Sequence, residues 1–134
     1  MRKVLTIGVF DLLHLGHVML FQRAKSFGDF LIVAVQKDDY IKKFKKCSNI
    51  IYDLYERMYM VKSIKYVDKV ISYTEASKIM NEVEFDIWVR GPDQNHTGFQ
   101  ILEKWCKDHQ KEIIVLSRTE GVSSTSLRDY LKDK

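Results

Sequence analysis

The chain predicts an α/β fold: a doubly wound, parallel, five-stranded sheet with helices on both faces. Three observations carry that expectation. Short apolar runs of strand length alternate with stretches of helical spacing throughout the sequence. The first two runs, Val4-Leu5-Thr6-Ile7-Gly8-Val9-Phe10 and Phe30 to Val35, are apolar almost throughout, as strands covered on both faces must be. The residues capable of chemistry gather where strands end and helices begin, the rim on which such sheets hold ligands.

The first strand covers Lys3 to Val9. Asp11-Leu12-Leu13 turns the chain, and a helix runs from Gly16 to Phe27 with Val18, Phe21 and Ala24 on one face, Gly28 serving as its stop. Phe30 to Val35 forms the second strand, followed by a polar, lysine-rich loop from Lys37 to about Tyr52. Asp53-Leu54-Tyr55-Glu56 reads as a capping box opening a helix through Ile64. Tyr66 to Ser72 is the third strand, Thr74 to Glu82 a short helix, and Asp86 to Arg90 the fourth strand, ending at Gly91-Pro92-Asp93. A helix from Thr97 to His109 leads to the fifth strand, Glu112 to Leu116, and a last helix spans Ser123 to Leu131.

At 134 residues this is one domain, 1–134, large enough for a core and short for two. Hydrophobic content of 46% and charged content of 30% describe a soluble globular protein and exclude a disordered chain. No apolar run approaches membrane-spanning length, and the first strand begins at once, without a signal peptide. Two cysteines, Cys47 and Cys106, make no disulfide framework, so the expected compartment is the reducing cytoplasm. The net charge of +4 suits a polyanionic ligand or nucleic acid alike, and much of it lies in Lys42-Lys43-Phe44-Lys45-Lys46.

His14-Leu15-Gly16-His17 is the most informative segment. It puts two imidazoles at the start of the first helix, where free N–H groups and the helix dipole favour an anion. Imidazole can donate a hydrogen bond to a phosphate oxygen, and carries a full charge where the local field raises its pKa. Gly16 lets a ligand lie against the backbone. Zinc is disfavoured, because His96, His109, Cys47 and Cys106 lack ligand-pair spacing.

A second cluster, Arg118-Thr119-Glu120-Gly121-Val122-Ser123-Ser124-Thr125, joins the fifth strand to the last helix. It offers a guanidinium fork and three hydroxyls, more than helix capping requires. Asp93 could hold Mg²⁺ through water, accept a hydrogen bond from a nucleotide, or simply form a turn, and Asp11 has the same ambiguity.

These residues resemble the bacterial glycerol-3-phosphate cytidylyltransferase family of the nucleotidylyltransferase superfamily. The family's first motif is similar to Gly8 through His17, and its final motif, R-T-E-G-I-S-T-T, to Arg118 through Thr125 with Val122 and Ser124 substituted. Tyr66-Val67-Asp68 and Gly91-x-Asp93 fall where the family has similar elements, so the likeness spans essentially the whole chain.

The resemblance implies a Rossmann-like fold and transfer of CMP from CTP to a small phosphomonoester, with Mg²⁺ as cofactor and pyrophosphate released. By position, His14, His17 and Arg118 would be catalytic. Val9, Phe10, Gly16, Lys46, Asp93, Arg118, Thr119, Ser123, Ser124 and Thr125 would bind the nucleotide. Lys43, Lys45, Lys65 and Lys78 would face the acceptor, and Asp11 the metal. The family's lysine loop is shifted here, because the segment between Asp38 and Arg57 is longer. Lys65 stands where the family commonly has Arg, which keeps the charge but loses the bidentate fork. A homodimer and a precursor of cell-surface polysaccharide are implied in the same way.

Two other readings remain open at this level. Adenylyl transfer, or transfer to a sugar, polyol, amino-alcohol or FMN phosphate, would use the same histidine motif. A basic nucleic-acid-binding domain is disfavoured, because Tyr52, Tyr55 and Tyr59 follow helical spacing as packing residues would.

Overall fold

A computed structural model of the chain describes residues 1–38, 50–92, 94 and 96–117. Five strands, β1 (Lys3–Gly8), β2 (Phe30–Gln36), β3 (Lys69–Tyr73), β4 (Ile87–Arg90) and β5 (Glu112–Val115), form one sheet in the order β3-β2-β1-β4-β5. Every neighbouring pair is parallel. Helices α1 (Leu15–Lys25) and α2 (Leu54–Lys62) cover one face; a 3₁₀ helix (Ala76–Asn81) and α3 (Thr97–Asp108) cover the other. The chain reverses its direction of travel across the sheet between β1 and β4, which makes their carboxyl ends the switch point.

The period-two alternation of β1 and β2 explains the two cores. Val4, Leu31, Val33 and Val35 pack under Phe21, Ala24 and Val61 of α1 and α2, whereas Leu5, Ile7, Ile32 and Ala34 pack under Ala76, Ile79, Phe99 and Leu102. Each fully buried aliphatic side chain contributes about 1.5–3 kcal/mol, so the two-sided burial of β1 and β2 anchors the sheet. Asp53 and Glu56 close the expected capping box on α2, each side chain accepting the other's backbone N–H.

Several expectations are corrected. α1 ends at Lys25 with Ser26 as its cap, and Gly28 has another reason to be glycine. A β-carbon there would meet the Arg2 carbonyl oxygen at 2.7 Å and Val4 at 2.7 Å. β3 begins at Lys69, because Tyr66 to Asp68 form the approach from α2, with Asp68 taking the Leu31 N–H on its carboxylate. Tyr55 and Tyr59 are not packing residues: they are 74% and 65% exposed and touch each other along the outer face of α2. The residues that α2 buries are Arg57 and Val61. The expected last helix lies outside the described residues.

Candidate functional site

Beyond β1 the chain passes through Gly8, Val9 and Phe10 before turning into α1. Phe10 adopts φ 53°, a left-handed conformation that bulky side chains rarely occupy. Its ring folds back over Gly8, where a β-carbon would meet ring atoms at 2.8–3.1 Å. The ring also stands edge-on to His17 and Phe21, with centroids 5.5 and 5.2 Å away. Gly8 therefore makes room for the aromatic wedge that seats His17.

The two histidines cap α1 together. His14 Nδ1 accepts the Gly16 N–H at 3.0 Å, and His17 Nδ1 accepts the His14 N–H at 3.3 Å. This is a capping box built from imidazoles, with the rings stacked 3.9 Å apart. Because each Nδ1 accepts, the bonding pattern places the proton of each neutral ring on Nε2. Both rings thereby keep an Nε2–H donor unused by the cap, at the helix end where a phosphate is favoured.

In the free protein the local field lowers the pKa of both rings. Burial lowers the His14 pKa, and burial together with the neighbouring His14 charge pushes His17 from 6.5 down to about 4. At neutral pH the free protein therefore offers two neutral donors rather than two cations. The sign of the stability linkage follows: between pH 6.5 and 4 the unfolded chain binds a proton on His17 that the folded chain does not. Stability from this group is fully present above pH 6.5 and declines towards pH 4, by roughly 3 kcal/mol. Urea midpoints measured from pH 7 to 4 should fall in the wild type, and H17Q should lose that part of the slope. An unchanged slope in H17Q would remove His17 from the linkage.

Arg57, which the sequence does not single out, supports this edge from below. It is fully buried and donates to the carbonyls of Tyr52 (3.1 Å), Val9 (2.8 Å) and Gln36 (2.9 Å), and pairs with Asp38. It ties the end of β1 to the end of β2 and to the approach to α2. Asp11 works alongside it: buried, it accepts the backbone N–H groups of Ile51 and Tyr52, each at 2.9 Å. Asp11 thus has a structural role in the free protein, one oxygen on each backbone N–H. Among the described residues no group of three or more His, Cys, Asp or Glu converges to hold a metal ion.

The remaining expected residues divide by position. Gly16 sits within the cap, the Phe10 ring stands against His17, and the Val9 carbonyl accepts from Arg57. Lys78, on the 3₁₀ helix, stands 3.4 Å from Glu75 on the opposite face of the sheet. Lys65 is not brought to this edge. It precedes β3 at the amino ends of the strands, on the far rim, with its ammonium over the Tyr66 ring. Lys43, Lys45, Lys46, Asp93, Arg118, Thr119, Ser123, Ser124 and Thr125 lie outside the described residues.

A doubly wound parallel sheet with a histidine-capped helix at its switch point defines an α/β protein built to hold an anionic ligand beyond its strand ends. The cytidylyltransferase-like family model matches residues 5–130, and the chain belongs to that family. Glycerol-3-phosphate cytidylyltransferase of Bacillus subtilis (strain 168) is 37% identical over 98% of this chain and 98% of its own length. The protein of the same name from Staphylococcus aureus is 38% identical over 100% and 98%. Bifunctional protein HldE of Nitratiruptor sp. is 35% identical over 98% of this chain, which spans only 28% of that longer protein. Among solved structures, the lipopolysaccharide core biosynthesis protein from Thermoplasma volcanium superposes with a TM-score of 0.70 and 28% identity, covering 88% of this chain and 96% of its own.

Proposed function

We propose that this protein transfers CMP from CTP to a small phosphomonoester, with glycerol 3-phosphate the first acceptor to test, and releases pyrophosphate. The observation that carries the reading is the imidazole capping box, with two Nε2–H donors at a helix start beside the switch point. Full-length similarity to two proteins named glycerol-3-phosphate cytidylyltransferase supports the choice of nucleotide and acceptor.

In this reaction an acceptor phosphate oxygen attacks the α-phosphorus, forming a new P–O bond as the bond to the β-phosphate oxygen breaks. No covalent enzyme intermediate is required, so the protein contributes positioning and charge stabilisation. The neutral imidazoles donate to phosphate oxygens whose charge grows as pyrophosphate departs. A bound triphosphate would in turn draw protons towards both rings, raising the pKa values that burial lowers. Arg118, Thr119 and the hydroxyls of Ser123 to Thr125 are proposed to grip the nucleotide from the other end of the chain, by the resemblance of their motif.

Mg²⁺ belongs to the proposal as a partner of the triphosphate, a cation that takes most of its ligands from phosphates and water. A homodimer, a cytoplasmic location and a product destined for cell-surface polysaccharide are proposed on the resemblance alone. None of the helices among the described residues is long and apolar enough to cross a membrane. The nucleic-acid reading gains only the exposure of Tyr55 and Tyr59, and the full-length similarity outweighs it.

The deciding experiment is a pyrophosphate-release screen of the four nucleoside triphosphates against a panel of phosphomonoesters. CTP with glycerol 3-phosphate should turn over at least ten-fold faster than any other pairing. A preference for ATP would move the protein to adenylyl transfer, and no release with any pair would sink the transferase reading.

A further inference from the structure

Among the described residues, the buried side-chain nitrogens and oxygens without a hydrogen-bond partner are Trp88 Nε1, Arg90 Nε and Gln94 Oε1. Trp88 and Arg90 lie in β4, and Gln94 lies four residues past Arg90, beyond the carboxyl end of the strand. Native proteins rarely leave such atoms unpaired, so each is open to a water, an ion or a ligand. The backbone opens at the same point. β1 and β4 are paired at Val4↔Ile87 and Leu5↔Trp88, and farther along Gln94 Nε2 takes the Ile7 carbonyl.

Arg90 is the charged member of the cluster. Its Nη1 is held by the carbonyls of Gly91 (3.2 Å) and Gln94 (3.3 Å), and its guanidinium lies 5.7 Å from the centre of the Trp88 ring. It is half-buried, and it makes no ion pair with a carboxylate among the described residues. A guanidinium with N–H donors to spare and no carboxylate partner attracts an anion. The contrast with Arg57 is direct. That guanidinium is satisfied by three carbonyls and Asp38, whereas Arg90 has carbonyls on one nitrogen only.

We propose that Arg90 binds the phosphate of the acceptor, an inference that rests on the transferase reading above. The side of the sheet selects the acceptor over the triphosphate. Trp88 and Arg90, two residues apart on one strand, share the face covered by the 3₁₀ helix and α3. The histidine pair belongs to the other face, where His17 stands against Phe10, which in turn packs on Phe21 of α1. In-line displacement requires the attacking oxygen and the leaving pyrophosphate on opposite sides of the α-phosphorus. With the leaving phosphates at the histidines, the attacking phosphate comes from the side of Arg90. Lys78, paired with Glu75, follows the carboxyl end of β3 on that same face. The planar fork of Arg90 suits two oxygens of a phosphomonoester.

The test is steady-state kinetics of wild type, R90M and R90K with CTP and glycerol 3-phosphate. R90M should raise the acceptor KM at least ten-fold and leave the KM for CTP within two-fold, and R90K, which keeps a charged donor, should recover part of the loss. An Arg90 that merely holds the Gly91 and Gln94 carbonyls would move both KM values together, which overturns the assignment, as does an unchanged acceptor KM. CTP binding by R90M, measured by calorimetry, checks that the variant is folded. Wild-type protein inert towards every phosphomonoester sinks the transferase reading and this inference with it; an active wild type with an indifferent R90M sinks this inference alone.

Discussion

His17→Ala is expected to lower kcat by about 10²–10³-fold, the usual loss when one preorganised donor to a developing oxyanion is removed. His14→Ala should fall in the same range, with a stability loss of about 1 kcal/mol added, because it also removes the side chain that caps the Gly16 N–H. The rings are stacked and bonded in sequence, so they act as a unit. The double variant should therefore be only slightly worse than either single one, a non-additivity typical of coupled groups. Single-turnover rates with CTP and the best acceptor from the screen would measure this, with thermal melts to confirm folding. Turnover within ten-fold of wild type in both single variants would remove the imidazoles from the mechanism.

Arg57→Met should destabilise the protein by about 3–5 kcal/mol, the range seen when one partner of a buried, hydrogen-bonded charge pair is deleted. The change strands the carbonyls of Val9, Gln36 and Tyr52 and leaves the Asp38 carboxylate without its partner. Methionine fills similar volume, so the effect reads out lost polar contacts rather than a cavity. Arg57→Lys keeps the charge without the fork and should fall between the two. Urea denaturation at pH 7 gives the number. A loss below about 1 kcal/mol would mean that these contacts are replaced by water on unfolding with little net gain.

The part of the protein legible from sequence is the part governed by near neighbours. Apolar runs at Val4 to Phe10 and Phe30 to Val35 specify strands, because two-sided burial demands nearly continuous apolar sequence. Asp53 and Glu56 announce a helix start three residues apart, and the structure shows both hydrogen bonds. His14, Gly16 and His17 likewise lie within one helical turn, so their meeting at the start of α1 follows from spacing alone.

What tertiary structure decided depends on partners far along the chain. Arg57 reads as one more charged residue of a helix until Val9, 48 positions earlier, and Gln36 come within reach. Gly28 reads as a helix stop, yet its neighbours are Arg2 and Val4 across the fold. Tyr55 and Tyr59 have the spacing of packing residues and face outward, because periodicity fixes which residues share a face but not which face meets the sheet. The histidines show the same division in one motif. Their position is local, but their neutral state comes from burial by the surrounding fold, which acts on charge in a direction that sequence spacing does not reveal.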